Sequence, residues 1–186
     1  MSERPPLVLA SASPQRRAIL ARLGIAFEVR PSGVPELVEG EPAAVAVGNA
    51  LRKARAVRDS HCEALVLGVD TLVELDGRIY GKPAGEREAR ETLQALGGAT
   101  HTVVSGLALL DGADERTAVA CTRVSFRELT PGMIDWYVAG GEWRERAGGY
   151  AIQGAGAALV REIVGDYENV VGLPLATLLD LRPDLI

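Results

Sequence analysis

The sequence predicts an α/β fold: a mixed, twisted sheet with flanking helices. Three observations carry this prediction. Short aliphatic runs alternate with helical patterns from Leu7 to Leu96, an order that places crossover helices on a sheet. One run, Ala64-Leu65-Val66-Leu67-Gly68-Val69, is apolar without alternation, as expected of a strand covered on both faces. Two long strand patterns, Thr100 to Leu110 and Arg116 to Phe126, flank Asp111-Gly112-Ala113-Asp114, a hairpin signal that adds antiparallel pairing to the sheet.

The bulk properties narrow the function classes. A chain of 186 residues suits one domain, or two small lobes, with a sizeable core, and it reads as a single domain over residues 1–186. It is 47% hydrophobic but only 4% aromatic, so the core must be aliphatic. A net charge of −5 argues against broad binding to nucleic acid or to an acidic membrane surface. The apolar runs fall far short of the roughly 20 residues that a membrane span needs. Cys62 and Cys121 are far apart and form no CxxC, so free thiols in a reducing cytoplasm are expected. His61 and His101 read as structural, which leaves little for histidine triads or multi-histidine metal sites. Chemistry therefore falls to carboxylates, lysines, arginines and a metal bound by oxygen.

In chain order, Met1 to Pro6 is a polar, proline-rich lead-in, and Leu7-Val8-Leu9 is the first strand, running into Ala10-Ser11-Ala12-Ser13. Ser13 suits an N-cap and Pro14 a first helical position, and the helix stops at Gly24. Arg16 and Arg17 are out of place in a first turn, which favours acidic residues. They point either outward into solvent or to a phosphate held at the helix start. Ile25 to Val29 reads as a strand, followed by an acidic loop with Glu36, Glu39 and Glu41. Glu39 and Glu41 fit a solvated loop. Glu36 fits either that or a carboxylate facing the phosphate site. Pro42 opens a helix through about Asp59, whose second half carries Arg52, Lys53, Arg55 and Arg58, as helix C-termini favour.

Asp70-Thr71 is read as the end of the Ala64 to Val69 strand, where α/β sheets bind ligands, so Asp70 is a turn residue or a catalytic or metal-binding one. A hairpin at Asp76-Gly77 leads to Gly81-Lys82-Pro83, which places the Lys82 ammonium to return towards Asp70. Glu86 to Leu96 and Pro131 to Ala139 are helical patterns, each ended by paired glycines. The stretch from Glu142 to Gly156 is dense in glycine yet carries Trp143, Tyr150, Ile152 and the polar Gln153, as a ligand-approaching loop would. Ala157 to Val164 reads as a strand, Tyr167 to Val171 as a short turn or helix, and Pro174 opens the last helix.

Taken together, Leu9 to Arg17, Lys53-Ala54, Gly68-Val69-Asp70-Thr71, Gly81-Lys82-Pro83, Phe126-Arg127-Glu128-Leu129, Ala147 to Gly154 and Val170 to Leu175 resemble the Maf family of nucleotide pyrophosphatases, through almost the whole chain. The resemblance implies a Maf/ITPase-like fold with two lobes around a central cleft, often dimeric and cytoplasmic. It implies hydrolysis of a nucleoside triphosphate between the α and β phosphates, to the monophosphate and pyrophosphate, with a divalent cation, Mg²⁺ or Mn²⁺. By the same resemblance Asp70 accepts the proton; Ser11, Arg16, Lys53 and Lys82 hold phosphate; Asp70 and Glu36 hold the metal. Gln15, Thr71 and Gln153 match the positions that set base preference. Asp-Thr paired with Ile-Gln-Gly resembles the dTTP and UTP branch. The 7-methyl-GTP branch has Asp-Gln and Glu-Gly there. A carboxamide both donates and accepts, as the O4 and N3–H edge of uracil or thymine requires. Gln15 and Arg146 depart from the family's usual arginine and lysine. The competing readings are a broad-range or 7-methyl-GTP pyrophosphatase, and a nucleotide-binding regulator of cell division without turnover.

Overall fold

The computed structural model describes residues 6–58 and 64–186. His61, Cys62 and the sequence reading of residues 1–5 and of Asp59 lie outside them. Seven strands form one sheet: β1 (Leu7–Leu9), β2 (Phe27–Val29), β3 (Leu65–Leu75), β4 (Arg78–Tyr80), β5 (Thr100–Asp111), β6 (Asp114–Phe126) and β7 (Val160–Val164). The order is β2-β1-β3-β5-β6-β7, with β4 also on β3. The β1 pairings are parallel and all others antiparallel, so the sheet is mixed. The helices are α1 (Pro14–Arg22), α2 (Pro42–Val57), α3 (Glu86–Leu96), α4 (Pro131–Gly140), α5 (Tyr167–Val171) and α6 (Leu175–Leu181). Ala155–Ala158, expected partly as strand, is a short 3-10 turn, and β7 begins only at Val160.

The period-2 alternation of the strands sorts the core. Leu7, Leu9, Leu65, Leu67, Val69, Leu107 and Leu109 pack with Ile19 and Leu20 of α1 and Leu178 of α6 on one face. Val8, Val66, Ala108 and Leu110 pack with Ala50 and Ala54 of α2 on the other. A separate cluster holds Val73, Val103, Val124 and Phe126 against Ala89, Leu93 and Leu96 of α3, Ile134, Tyr137 and Val138 of α4, and Tyr150 and Ile152. The long strands β3 and β5 run through both lobes. Between the two clusters, the face carrying Leu67 and Val73 bears Thr71, and its β5 neighbour is Ser105; their hydroxyls bond at 2.8 Å.

Two observations place Asp70. It does not end a strand: β3 is continuous to Leu75. The apparent break is in its neighbours. With β5 along one edge, β3 meets β1 over Leu65 to Leu67 and β4 over Val73 to Leu75 on the other, so on that second edge no strand among the described residues pairs with Gly68 to Leu72. Through that gap the mid-strand carboxylate of Asp70 reaches a cleft. Second, α2 lies unusually close to the sheet. A Cβ on Gly68 would stand 2.1 Å from the Ala50 carbonyl oxygen, and one on Gly106 would stand 2.3 Å from the Ala46 carbonyl carbon and oxygen. Both collisions are with helix backbone, which cannot turn aside as a side chain can. The Gly68→Ala protein is expected to lose about 3 kcal/mol or more of stability, read as a lower denaturation midpoint in urea with an unchanged slope.

Candidate active site

The gap beside β3 opens into a cleft of about 830 Å³ lined from both lobes. All nine candidate site residues line it: Ser11, Gln15, Arg16, Glu36, Lys53, Asp70, Thr71, Lys82 and Gln153.

Its centre is a pair of carboxylates on one ammonium. Lys53 lies on the buried face of α2, and its Nζ donates to Asp70 Oδ1 and to Glu36 Oε1, each at 2.6 Å. Lys53 therefore differs from the other cations of its helix. Arg55 and Arg58 pair with Glu115 of the β5–β6 hairpin, while Lys53 is buried. Asp70 Oδ2 accepts from Asn49 Nδ2 at 2.9 Å. Glu36 lies on the strap between β2 and α2 with its side chain 36% exposed. Burial pushes its pKa up, but the Lys53 hydrogen bond and the charges of Lys53, Lys82 and Arg16 outweigh that and hold it below the usual value. Lys82 does not return to Asp70. The lysine on Asp70 is Lys53, and Lys82 Nζ lies 3.6 Å from Glu36 Oε2, in the more exposed part of the cleft. The β3–β4 hairpin carries Lys82 past the end of the gap, so the strap meets it first.

Arg16 and Arg17 divide as the two sequence readings would have it: Arg17 is exposed and Arg16 is buried. Arg16 donates from Nε to the Gly172 carbonyl at 2.8 Å, and from its terminal nitrogens to Ser11 Oγ at 2.8 Å and Thr71 Oγ1 at 3.1 Å. These three acceptors are neutral, so among the described residues no carboxylate cancels the guanidinium by direct contact. Desolvation lowers its pKa, while Asp70 and Glu36 raise it; guanidinium stays charged in either case. Three of five N–H donors are used, leaving two for an anion. Ser13 caps α1 by accepting from the Arg16 N–H, and its hydroxyl donates to Gln15 Oε1 at 3.1 Å.

The opposite wall is the glycine-rich segment. Glu142 accepts from the N–H groups of Ala155 and Gly156, and Tyr137 Oη accepts from the Ala151 N–H. These bonds leave Gln153 exposed at the cleft. A Cβ on Gly154 would meet Glu142 Oε1 at 2.3 Å, the end of a side chain that its bonds to Ala155 and Gly156 hold in place. Asn49, Ser105 and Glu142 escape the sequence reading. Asn49 alone left a signal, as a second polar residue one turn from Lys53 on an otherwise apolar helix face.

A family model described as Maf-like protein matches residues 6–183. The chain belongs to the Maf family. Among its relatives, a dTTP/UTP pyrophosphatase of Gloeobacter violaceus is 50% identical over 177 residues, 94% of this chain and 93% of the relative. One of Moorella thermoacetica is 51% identical over 179 residues, covering 94% and 92%. One of Pyrococcus furiosus is 43% identical over 177 residues, covering 94% and 93%.

The resemblance to Maf proteins implies a divalent metal. No group of three or more His, Cys, Asp or Glu residues converges among the described residues. Asp70 and Glu36 do converge, and two carboxylates completed by substrate phosphate and water match what Mg²⁺ accepts. The residues fit a metal brought in with a polyphosphate. No described helix is long and apolar enough to cross a membrane.

The cleft is buttressed by His101, whose Nε2 lies 2.9 Å from Tyr150 Oη. Burial pushes the imidazole pKa down from 6.5 to about 4. The unfolded chain therefore takes up this proton first, and the stability it represents, at most about 3 kcal/mol, is present above pH 6.5 and lost as pH falls towards 4. Thermal melts from pH 7 to pH 4.5 should show a falling transition temperature, with a shallower slope in His101→Gln.

Proposed function

We propose that this protein hydrolyses a nucleoside triphosphate between its α and β phosphates, with dTTP and UTP as preferred substrates, to the nucleoside monophosphate and pyrophosphate. The observation that supports this most is a buried Asp70 held by Lys53 and Asn49 in the same cleft as an Arg16 with spare donors. The names of the relatives agree with it.

In this reading Arg16, Ser11 and the start of α1 bind the phosphate chain, and Lys53 and Lys82 meet the rest of its charge. Asp70 takes the proton of a water as its oxygen attacks the α-phosphorus in line. The bond from that phosphorus to the bridging oxygen breaks, and pyrophosphate leaves with the electron pair, its charge met by the same cations. Glu36 and Asp70 would hold the divalent cation, Mg²⁺ or Mn²⁺, which supplies neutralisation of phosphate charge when bound. Gln15, Thr71 and Gln153 set base preference in this reading, and the Gln153 amide pairs with a pyrimidine edge.

The Asp70→Asn protein is expected to release pyrophosphate from dTTP roughly 100-fold more slowly or worse while still binding the nucleotide. Near-normal turnover would refute the role given to Asp70. Binding without turnover by the wild type would instead identify a nucleotide-binding regulator. The Gln153→Glu protein should lose about tenfold in kcat/KM for dTTP and UTP, the loss of one good hydrogen bond, in a panel that also includes 7-methyl-GTP.

A further inference from the structure

We propose that Asn49 is a positioning residue that fixes Asp70 and the Glu36 strap as one unit, an inference that rests on the pyrophosphatase reading of this cleft. Asn49 is 2% exposed on the inner face of α2, one turn before Lys53. Its Oδ1 accepts from the Leu37 N–H at 2.7 Å, and its Nδ2 donates to the Leu37 carbonyl at 2.9 Å and to Asp70 Oδ2 at 2.9 Å. Both amide hydrogens and the carbonyl oxygen are thus engaged, joining the strap at Leu37 to β3 at Asp70.

The strap needs this anchor. Leu37 and Val38 are 48% and 67% exposed, so little burial holds them. Gly33 and Gly40 bracket the segment at φ 64° and 127°, left-handed conformations that glycine adopts without strain. The Asn49 amide pins the backbone one residue after Glu36, while the same amide orients Asp70. Lys53 then finds both carboxylates in place. Apart from Lys53, the other buried positions on this helix are Val45, Ala46, Ala50 and Ala54, so packing alone calls for an apolar residue. A buried amide is costly unless its partners are held by it.

The test compares wild type, Asn49→Leu and Asn49→Asp by two measurements: steady-state pyrophosphate release from dTTP, and cleavage of the nucleotide-free protein at the strap by a glutamate-specific endoprotease. In Asn49→Leu, kcat should fall about tenfold, as expected for loss of one hydrogen bond to a charged group. KM should stay within about twofold, and strap cleavage should be several-fold faster. Asn49→Asp keeps an oxygen for the Leu37 N–H but sets a like charge against Asp70. Its kcat should fall further than that of Asn49→Leu, and its strap should be cut more slowly. A merely structural role would lower the melting temperature and leave both readouts unchanged. Wild-type kcat in both variants, a loss confined to KM, or unchanged strap cleavage overturns the proposal. Should Asn49→Leu fail to fold, Asn49→Asp is judged by its kcat and KM, and a wild-type kcat or a loss confined to KM overturns the proposal. A wild type that releases no pyrophosphate from any triphosphate refutes the pyrophosphatase reading, and endoprotease cleavage then decides whether the link exists.

Discussion

The cleft depends on one buried ammonium. Lys53 Nζ is the shared counter-charge of Asp70 and Glu36. Without it two carboxylates would converge in a poorly solvated place, where like charges cannot both stay ionised without large cost. Breaking a buried ion pair by removing one partner costs about 3–5 kcal/mol. The contact in turn depends on backbone spacing. Lys53 reaches Asp70 because α2 rests almost directly on β3 and β5, over glycines at 68 and 106 and with alanines at 46, 50 and 54. Small residues set the distance, the distance makes the ion pair, and the ion pair holds the site charged and ordered.

The second constraint is the interruption along the edge of β3. A continuous sheet would have enclosed Asp70 and Thr71 between neighbouring strands. Because β1 ends at Leu9, opposite Leu67, and β4 ends at Tyr80, opposite Val73, five residues of an interior strand are left open on one side among the described residues. The hydrophobic core divides at the same level. Leu107 belongs to one cluster and Val103 to another, with Ser105 between them. Polar side chains at this seam, Thr71 and Ser105 with Arg16, make the floor where two cores meet.

Much of this was legible in the sequence. The element order, the Asp111 to Asp114 hairpin and the cap at Ser13 are local signals, and local signals survive folding. The set of cleft residues was legible through family likeness, since Arg16, Lys53 and Gln153 are too far apart for spacing to join them. What was not legible follows from packing between elements. Asp70 looked like the end of a strand because polar residues interrupt an apolar run, whereas the interruption lies in the strand's neighbours. Lys82 was expected at Asp70 because a turn after a strand brings it back. Only the three-dimensional course of the Glu36 strap shows which carboxylate intercepts it. The roles of Asn49 and Glu142 are bonds to distant backbone, for which single residues leave almost no trace.

The two walls of the cleft are built to different tolerances. Helix α2 presses its backbone onto the sheet and carries Lys53, which both carboxylates share, so it has no slack to give. The opposing wall hangs from the Glu142 carboxylate and the Tyr137 hydroxyl, and its outward side chains are unconstrained by packing. In the proposed reading, changes around Gln153 can therefore alter which nucleobase is accepted without disturbing the charged groups that meet the phosphates.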